Sequence, residues 1–355
     1  MTLPLATTLR IVATDNQWLM ERERMRDASP YMLAPEYALL KNLPRHQRKR
    51  FETALQLMHS MPGSALAWQE VAKRSAISPY HFHRQFTRVF HETPGSYLSR
   101  MQLQWAVSML LDSPNKKIID IALACGFSSS QALAKALQRA LQQTAKAIKM
   151  IGQNGTLDEL RNVLEPLAHR VPADQTPLEI QLAENLPCSL EFFDQRAIRL
   201  EPLPDSGFEE LCVQLGEKLY RRAILTPVKL LDAPWEDCIQ WFGSWCPASQ
   251  DSAKHKLIPA GEYLTCECYI VSDMGYLAAL EGMEKQAQKL GVTPDRDGLC
   301  IEQVLELDNT LSGGVVLRVE VPVTRGTGQT VFGAVKPADP QSESKLEPGR
   351  IPPLL

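Results

Sequence analysis

Val71-Ala-Lys-Arg-Ser-Ala-Ile-Ser78 and Ile121-Ala-Leu-Ala-Cys-Gly-Phe-Ser128 stand 50 residues apart and carry one pattern twice. Each reads as the apolar end of a short helix, a tight turn, and a serine whose hydroxyl can accept from the free N–H groups of the next helix. Pro79 follows Ser78, and proline suits a first helical position because its φ is preset and no N–H is needed there. The helix opened at Ser78 places Phe82, Phe86 and Phe90 at i, i+4 and i+8, a single apolar stripe. Its other face carries Tyr80, His83, Arg84, Thr87 and Arg88. With one inserted residue, the second copy puts Leu133, Leu137 and Leu141 on the stripe and exposes Ser130, Gln131, Lys135 and Gln138. The spacing predicts two helix-turn-helix units inside one all-helical block, residues 45–150.

Charge separates this block from the rest. Residues 45–150 hold 15 Lys/Arg against 5 Asp/Glu, a net +10, while residues 1–44 hold 5 of each and residues 151–355 hold 18 against 31, a net −13. The overall −3 thus hides a basic, polyanion-binding segment joined to an acidic module with a different task. The 355 residues suggest two or three domains, and 44% hydrophobic with 22% charged residues is ordinary globular composition. No basic start leads into an apolar run, and no window reaches the ~18 apolar residues of a membrane span. Eight scattered cysteines in so long a chain read as reduced thiols. The expectation is a cytoplasmic protein with no membrane partner.

Outside the basic block, residues 1–44 form an N-terminal extension without an assigned role, broken by Pro30, Pro35 and Pro44 around a Glu-Arg-Glu-Arg-Met-Arg stretch at 21–26. Residues 151–187 are predicted as a helix and linker: Thr156-Leu157-Asp158-Glu159 is a capping box opening a helix to about His169, and Val171–Pro177 links onward. Residues 188–325 alternate strand-like runs (Leu190–Leu200, Tyr263–Val271, Cys300–Leu307, Val315–Val323) with helical ones (Phe208–Arg221, Gly275–Leu290), an α+β domain. The tail, residues 326–355, is rich in Pro, Ser and Glu from Pro337 and predicted disordered.

The residues of the basic block also carry a family resemblance. Ala72, Ile77-Ser78, Phe82, Arg84, Phe86, Pro94, Tyr97, Arg100 and Ala106, then Ile121-Ala122 and Cys125-Gly126-Phe127-Ser128, resemble the DNA-binding domain of the AraC/XylS regulators. In that family two helix-turn-helix units are joined by a long helix, here roughly Ser96–Leu111 or ~24 Å. The second unit departs from the pattern, with Leu133, Leu137, Leu141, Gln142, Ala145 and Ile148 where the family has aromatics, glycine, proline and tyrosine. The resemblance implies base contacts from Tyr80, His83 and Arg84, with Arg88 on the same face, and weaker ones from Ser130, Gln131 and Lys135. Arginine can bridge guanine O6 and N7, and glutamine does the same at adenine.

The C-terminal half resembles, more weakly, a GyrI-like effector-binding domain, a pseudo-duplicated βαββ fold around a pocket for amphipathic ligands. Pro259-Ala-Gly-Glu-Tyr263, Gly298-Leu-Cys-Ile-Glu302 and Leu317-Arg-Val-Glu-Val-Pro322 carry it. It places an acidic residue, Glu302, inside the penultimate strand, where burial is costly without a partner. Trp235, Trp241, Trp245 and Tyr263 are expected to wall its pocket, since ring faces suit planar or cationic ligands. The implied partners are double-stranded DNA, a small-molecule effector and RNA polymerase. No catalytic residue, metal or cofactor is expected: Cys266-Glu-Cys268 lacks a second ligand pair, His81 and His83 point to different sides of a helix, Gly326-Thr-Gly328 reads as a turn, and no G-x-S-x-G occurs. The alternative to a regulator is a small-molecule hydrolase or sequestering protein working through the same pocket, with Glu302 activating water.

Overall fold

The structure, a computed structural model, describes residues 30–59, 67–113, 115–169, 176–202, 208–231, 233, 237–248, 254–307 and 314–325. The expected tail, most of the linker, Gly326-Thr-Gly328 and Trp235 lie outside them. The first helix-turn-helix unit, or head, is built from α2 (Arg45–His59), α3 (Trp68–Arg74) and α4 (Pro79–Phe90). Ser78 caps α4 by accepting from the His81 N–H, as the sequence predicts. The phenylalanine stripe turns inward onto Phe51, whose ring lies 6.0 Å from Phe82 and 5.9 Å from Phe90, and Tyr97 closes the cluster 5.3 Å from Phe86. The second head repeats this with α6 (Ile118–Ala124) and α7 (Ser130–Leu141), its core supplied by buried Leu133 and Leu137.

Backbone angles show the repeat more sharply than side chains do. The turn of the first head is made at Ala76 (φ 54°) and that of the second at Gly126 (φ 79°), 50 positions on. The helices that follow the two turns both end in a left-handed residue, His91 and Gln142, now 51 apart. The inserted residue falls between turn and helix. The cap of α7 is therefore Ser129, which accepts from the Ala132 N–H at 3.1 Å, and not Ser128.

Between the heads runs α5 (Pro94–Asp112), three residues longer than expected. Its first half, at Tyr97 and Met101, belongs to the core of the first head, and its second half, from Leu103 to Leu111, to that of the second. Next come α8 (Ala145–Asn154) and α9 (Leu157–Leu164), the latter opened by the predicted capping box of Thr156 and Glu159. Gly152 on α8 lies hard against α5. A Cβ there would sit 2.6 Å from Leu111 Cα and closer still to its carbonyl oxygen, so only glycine permits this crossing.

The remaining chain folds, after α10 (Leu178–Ala183), into a mixed sheet. Its strands are β1 (Tyr31–Met32), β2 (Cys188–Phe193), β3 (Arg196–Leu200), β4 (Arg222–Pro227), β5 (Trp241–Cys246), β6 (His255–Ile258), β7 (Gly261–Ile270), β8 (Thr293–Pro294), β9 (Leu299–Leu307) and β10 (Val315–Thr324). They run in the order β1-β7-β10-β9-β4-β5-β3-β6, with β2 also on β7 and β8 on β10. With α11 (Phe208–Leu215) and α12 (Asp273–Leu290), the runs β3-α11-β4-β5 and β7-α12-β9-β10 each place their last strand between the other two. The two triplets join through antiparallel β4 and β9. The single strand expected over Leu190–Leu200 is in fact two, β2 on β7 and β3 between β5 and β6.

Residues 30–44 gain a place that the sequence does not suggest. Strand β1 pairs parallel to β7, and the short helix α1 (Pro35–Leu40) then reaches the first head, where buried Glu36 accepts from Tyr97 Oη at 2.9 Å. Burial alone would raise the Glu36 carboxyl, but His169, His59 and Arg100 together hold it below its ordinary value. Arg100 forks onto Glu92 (2.6 Å) and donates to the Leu167 carbonyl. The connecting-helix arginine is thus a brace between the head and the chain leading to the sheet. A single apolar core runs from the second head through α9, α10 and α12 into the sheet, while the first head keeps a core of its own.

Candidate nucleic-acid interface and an acidic cleft

On α4 the apolar stripe fixes which side chains face outward. Tyr80 is 72% exposed, an unusual position for a ring with no structural task, and His83, Arg84 and Arg88 are exposed beside it while Thr87 is half-buried. The Arg84 guanidinium lies 5.9 Å from the Tyr80 ring, His83 rests against Trp68 of α3 at 5.5 Å, and the Thr87 hydroxyl donates to the His83 carbonyl. On α7, Gln131 and Lys135 are exposed and Ser130, the first helical residue, is half-buried. Gln138 and Arg139 extend this polar face; Arg139 does not stand out in the sequence pattern, although its position one turn on from Lys135 makes it legible.

A second site lies between the helical block and the sheet. Glu302 on β9 is 4% exposed and accepts a hydrogen bond from Tyr276 Oη on α12. Burial pushes its carboxyl up to about 7, with the Tyr276 hydroxyl opposing the rise. It lies at a cleft that is partly open to solvent. Gln240, 9% exposed, lines the same cleft; its amide donates to Thr226 Oγ1 at 3.0 Å while its Oε1 has no partner among the described residues. Leu230, Leu277 and Leu280 supply apolar wall, and among the described residues Asp112 is the second acidic lining residue and no lysine or arginine lines the cleft. Cys238, also at the rim, has its thiol pushed up to about 11 by burial and by the Glu302 charge.

Trp241, Trp245 and Tyr263, three of the aromatic residues expected around Glu302, are elsewhere. Alternation along β9 sends Ile301 to one face of the sheet and Glu302 to the other, and Trp241, Trp245 and Tyr263 pack on the Ile301 face. There the cation over the rings is the protein's own: the Arg196 guanidinium lies 4.0 Å from Phe193, 5.1 Å from Tyr263 and 5.4 Å from Trp245, and pairs with Glu320 at 2.8 Å. Among the described residues, no group of three His, Cys, Asp or Glu side chains is arranged to hold a metal, and no helix is long and apolar enough to cross a membrane.

Comparison with known proteins bears on the first of these sites. The family model described as a helix-turn-helix domain matches residues 71–149. Those residues are a helix-turn-helix domain. The chain is 32% identical over 77 residues to the HTH-type transcriptional regulator Rv1931c of Mycobacterium tuberculosis, covering 22% of this chain and 29% of the relative. It is 30% identical over 103 residues to the HTH-type transcriptional activator RhaS of Yersinia pestis, covering 29% and 37%. The chain therefore spans about a third of the length of these curated relatives. Among solved structures, a transcriptional regulator with an AraC-type DNA-binding domain from Chromobacterium violaceum matches at TM-score 0.28 and 22% identity, covering 31% of this chain and 96% of that one.

Proposed function

We propose that the protein is a DNA-binding transcriptional regulator of AraC type whose sheet domain is a GyrI-like effector-binding domain, sensing an amphipathic cation in the Glu302 cleft. The observation that carries the DNA-binding half is the pair of capped recognition helices, each burying one stripe and exposing basic and amide side chains within a +10 block. The repeated strand order of the two β-α-β-β runs supports the GyrI-like reading. Residence in the cytoplasm and contact with RNA polymerase belong to the same proposal. Titrating labelled duplex DNA at two salt concentrations tests it, with the result argued in the Discussion.

The two heads are not equivalent. Arg84 sits in a head that keeps the family's aromatic core and is held beside Tyr80, whereas Lys135 is a flexible point charge. Arg84→Ala should cost ~1–3 kcal/mol on a specific site and relax one base position. Lys135→Ala should cost less, and equally on specific and scrambled duplexes. Anisotropy titrations on both duplexes check this, and a silent Arg84→Ala beside a Lys135→Ala that abolishes specificity would reverse the ranking.

For the cleft, acidity without a compensating base selects positive ligands. A lipophilic cation satisfies a buried carboxylate that water reaches poorly, and the leucine walls take its apolar body. Binding a cation needs Glu302 ionised, and its carboxyl titrates at about 7 in the folded protein. Affinity for tetraphenylphosphonium should then rise about tenfold between pH 6 and pH 8 and level off above. Glu302→Gln should bind weakly at every pH. Calorimetric titration of both proteins reads this out, and a Glu302→Gln protein that keeps the wild-type affinity and slope excludes the carboxylate as the determinant.

The hydrogen-bonded Glu302–Tyr276 pair also favours a second reading, in which a carboxylate near neutrality activates water on a bound ester or amide. Mass analysis of such a compound after incubation separates a hydrolase from a sensor.

A further inference from the structure

We infer that the ligand site is completed by the DNA-binding block itself, so that Leu111, Ile151 and Leu160 contact the occupant directly. This rests on the cleft being the effector site. Of the residues that line it, Leu111 and Asp112 end the connecting helix α5, Ile151, Gly152 and Gly155 end α8, and Thr156, Leu157 and Leu160 open α9. Opposite them stand Glu302, Tyr276 and the unsatisfied Gln240 Oε1. An occupant that meets Glu302 therefore lies between the sheet and the helices that carry the second head.

Those helices are not free to yield independently. Gly152 holds α8 against α5 at Leu111, with backbone rather than side-chain atoms at the closest approach. Thr144, which caps α8, comes three residues after the end of α7, and α5 continues into the core of the first head. Filling the cleft biases the position of α5 and α8, and so of the second head they carry, relative to the sheet. Ligand and DNA share one element, and their affinities are linked. The linkage must be reciprocal: whatever factor the ligand applies to DNA binding, DNA applies to ligand binding.

The test uses the full chain, tetraphenylphosphonium as probe, and a duplex selected from a random-sequence pool by the wild-type protein. Saturating probe should change the DNA dissociation constant by about fivefold or more, and saturating DNA should change the probe's by the same factor. Leu160→Ala should weaken the probe about fivefold or more while leaving DNA affinity in its absence within about twofold, since Leu160 is on no recognition helix. If the wild type binds the probe but neither factor departs from one and Leu160→Ala binds it normally, the cleft belongs to the sheet domain alone and the inference falls. Should Leu160→Ala fail to fold, the two wild-type factors decide. A wild type that does not bind the probe, or a Glu302→Gln protein that binds it equally well, removes the effector reading and this inference with it.

Discussion

A fourfold rise in salt, from about 50 mM to 200 mM, should weaken duplex DNA binding by about 500-fold or more. Arg84, Arg88, Lys135, Arg139 and Lys146 are all exposed on or next to the recognition helices. Each that neutralises a phosphate releases condensed counterions, contributing a slope of about −0.9 in log affinity against log salt. Five such contacts give a slope of about −4.5, which over a fourfold change in salt is the figure above. Further contacts from Arg45, Lys49 and Arg50 would steepen it. The sign matters because the whole chain is net negative, −3, so association driven by overall charge would be repulsive. Attraction must come from the local field of residues 45–150. Anisotropy with a labelled duplex over a salt series measures the slope, and a flat line would remove the DNA-binding assignment altogether.

The helical block was legible because its signals are local. A stripe at i, i+4 and i+8, a serine before a proline, and a turn spaced 50 residues from its copy are each read within about fifteen consecutive positions, 76–90 in the first unit, and each has a direct physical meaning. Even there, one inserted residue moved the cap from Ser128 to Ser129, which periodicity cannot resolve. The capping box at Thr156 was readable for the same reason. What failed was long-range. Glu302 reads correctly as a buried strand glutamate, but its neighbours are set by cross-strand register and by which face of β9 meets α12. Parity within β9 separates Ile301 from Glu302, yet nothing in the sequence says that Trp241 of β5 shares the face of Ile301. Tyr276, Gln240 and Asp112 carry no sequence mark as cleft residues, because each becomes one only when α12, β5 and α5 converge. The β1 strand and α1 were invisible for a related reason: two residues of strand and six of helix are too short to show a period.

Phe86→Ala and Leu137→Ala should separate the two heads by how the protein melts. Both side chains are fully buried at corresponding places in the repeat, so transfer and cavity terms alone put each truncation at about 2–5 kcal/mol, with the ring at the upper end. The difference lies in what surrounds them. Phe86 touches Phe82, Phe90, Phe51 and Tyr97, all within the core of the first head, which the sheet does not share. Loss of that ring should give a separate, earlier transition in scanning calorimetry, with DNA binding lost and the Glu302 cleft still able to take up a probe. Leu137 belongs to the core that continues through α9 and α12 into the sheet. Its truncation should lower the main transition as a unit and weaken cleft binding together with DNA binding, because the cleft wall at Ile151 and Leu160 packs against the same core. If Phe86→Ala instead shifts one common transition, the two cores are energetically one. The bracing of α1 and Arg100 onto the first head would then be the path that joins them.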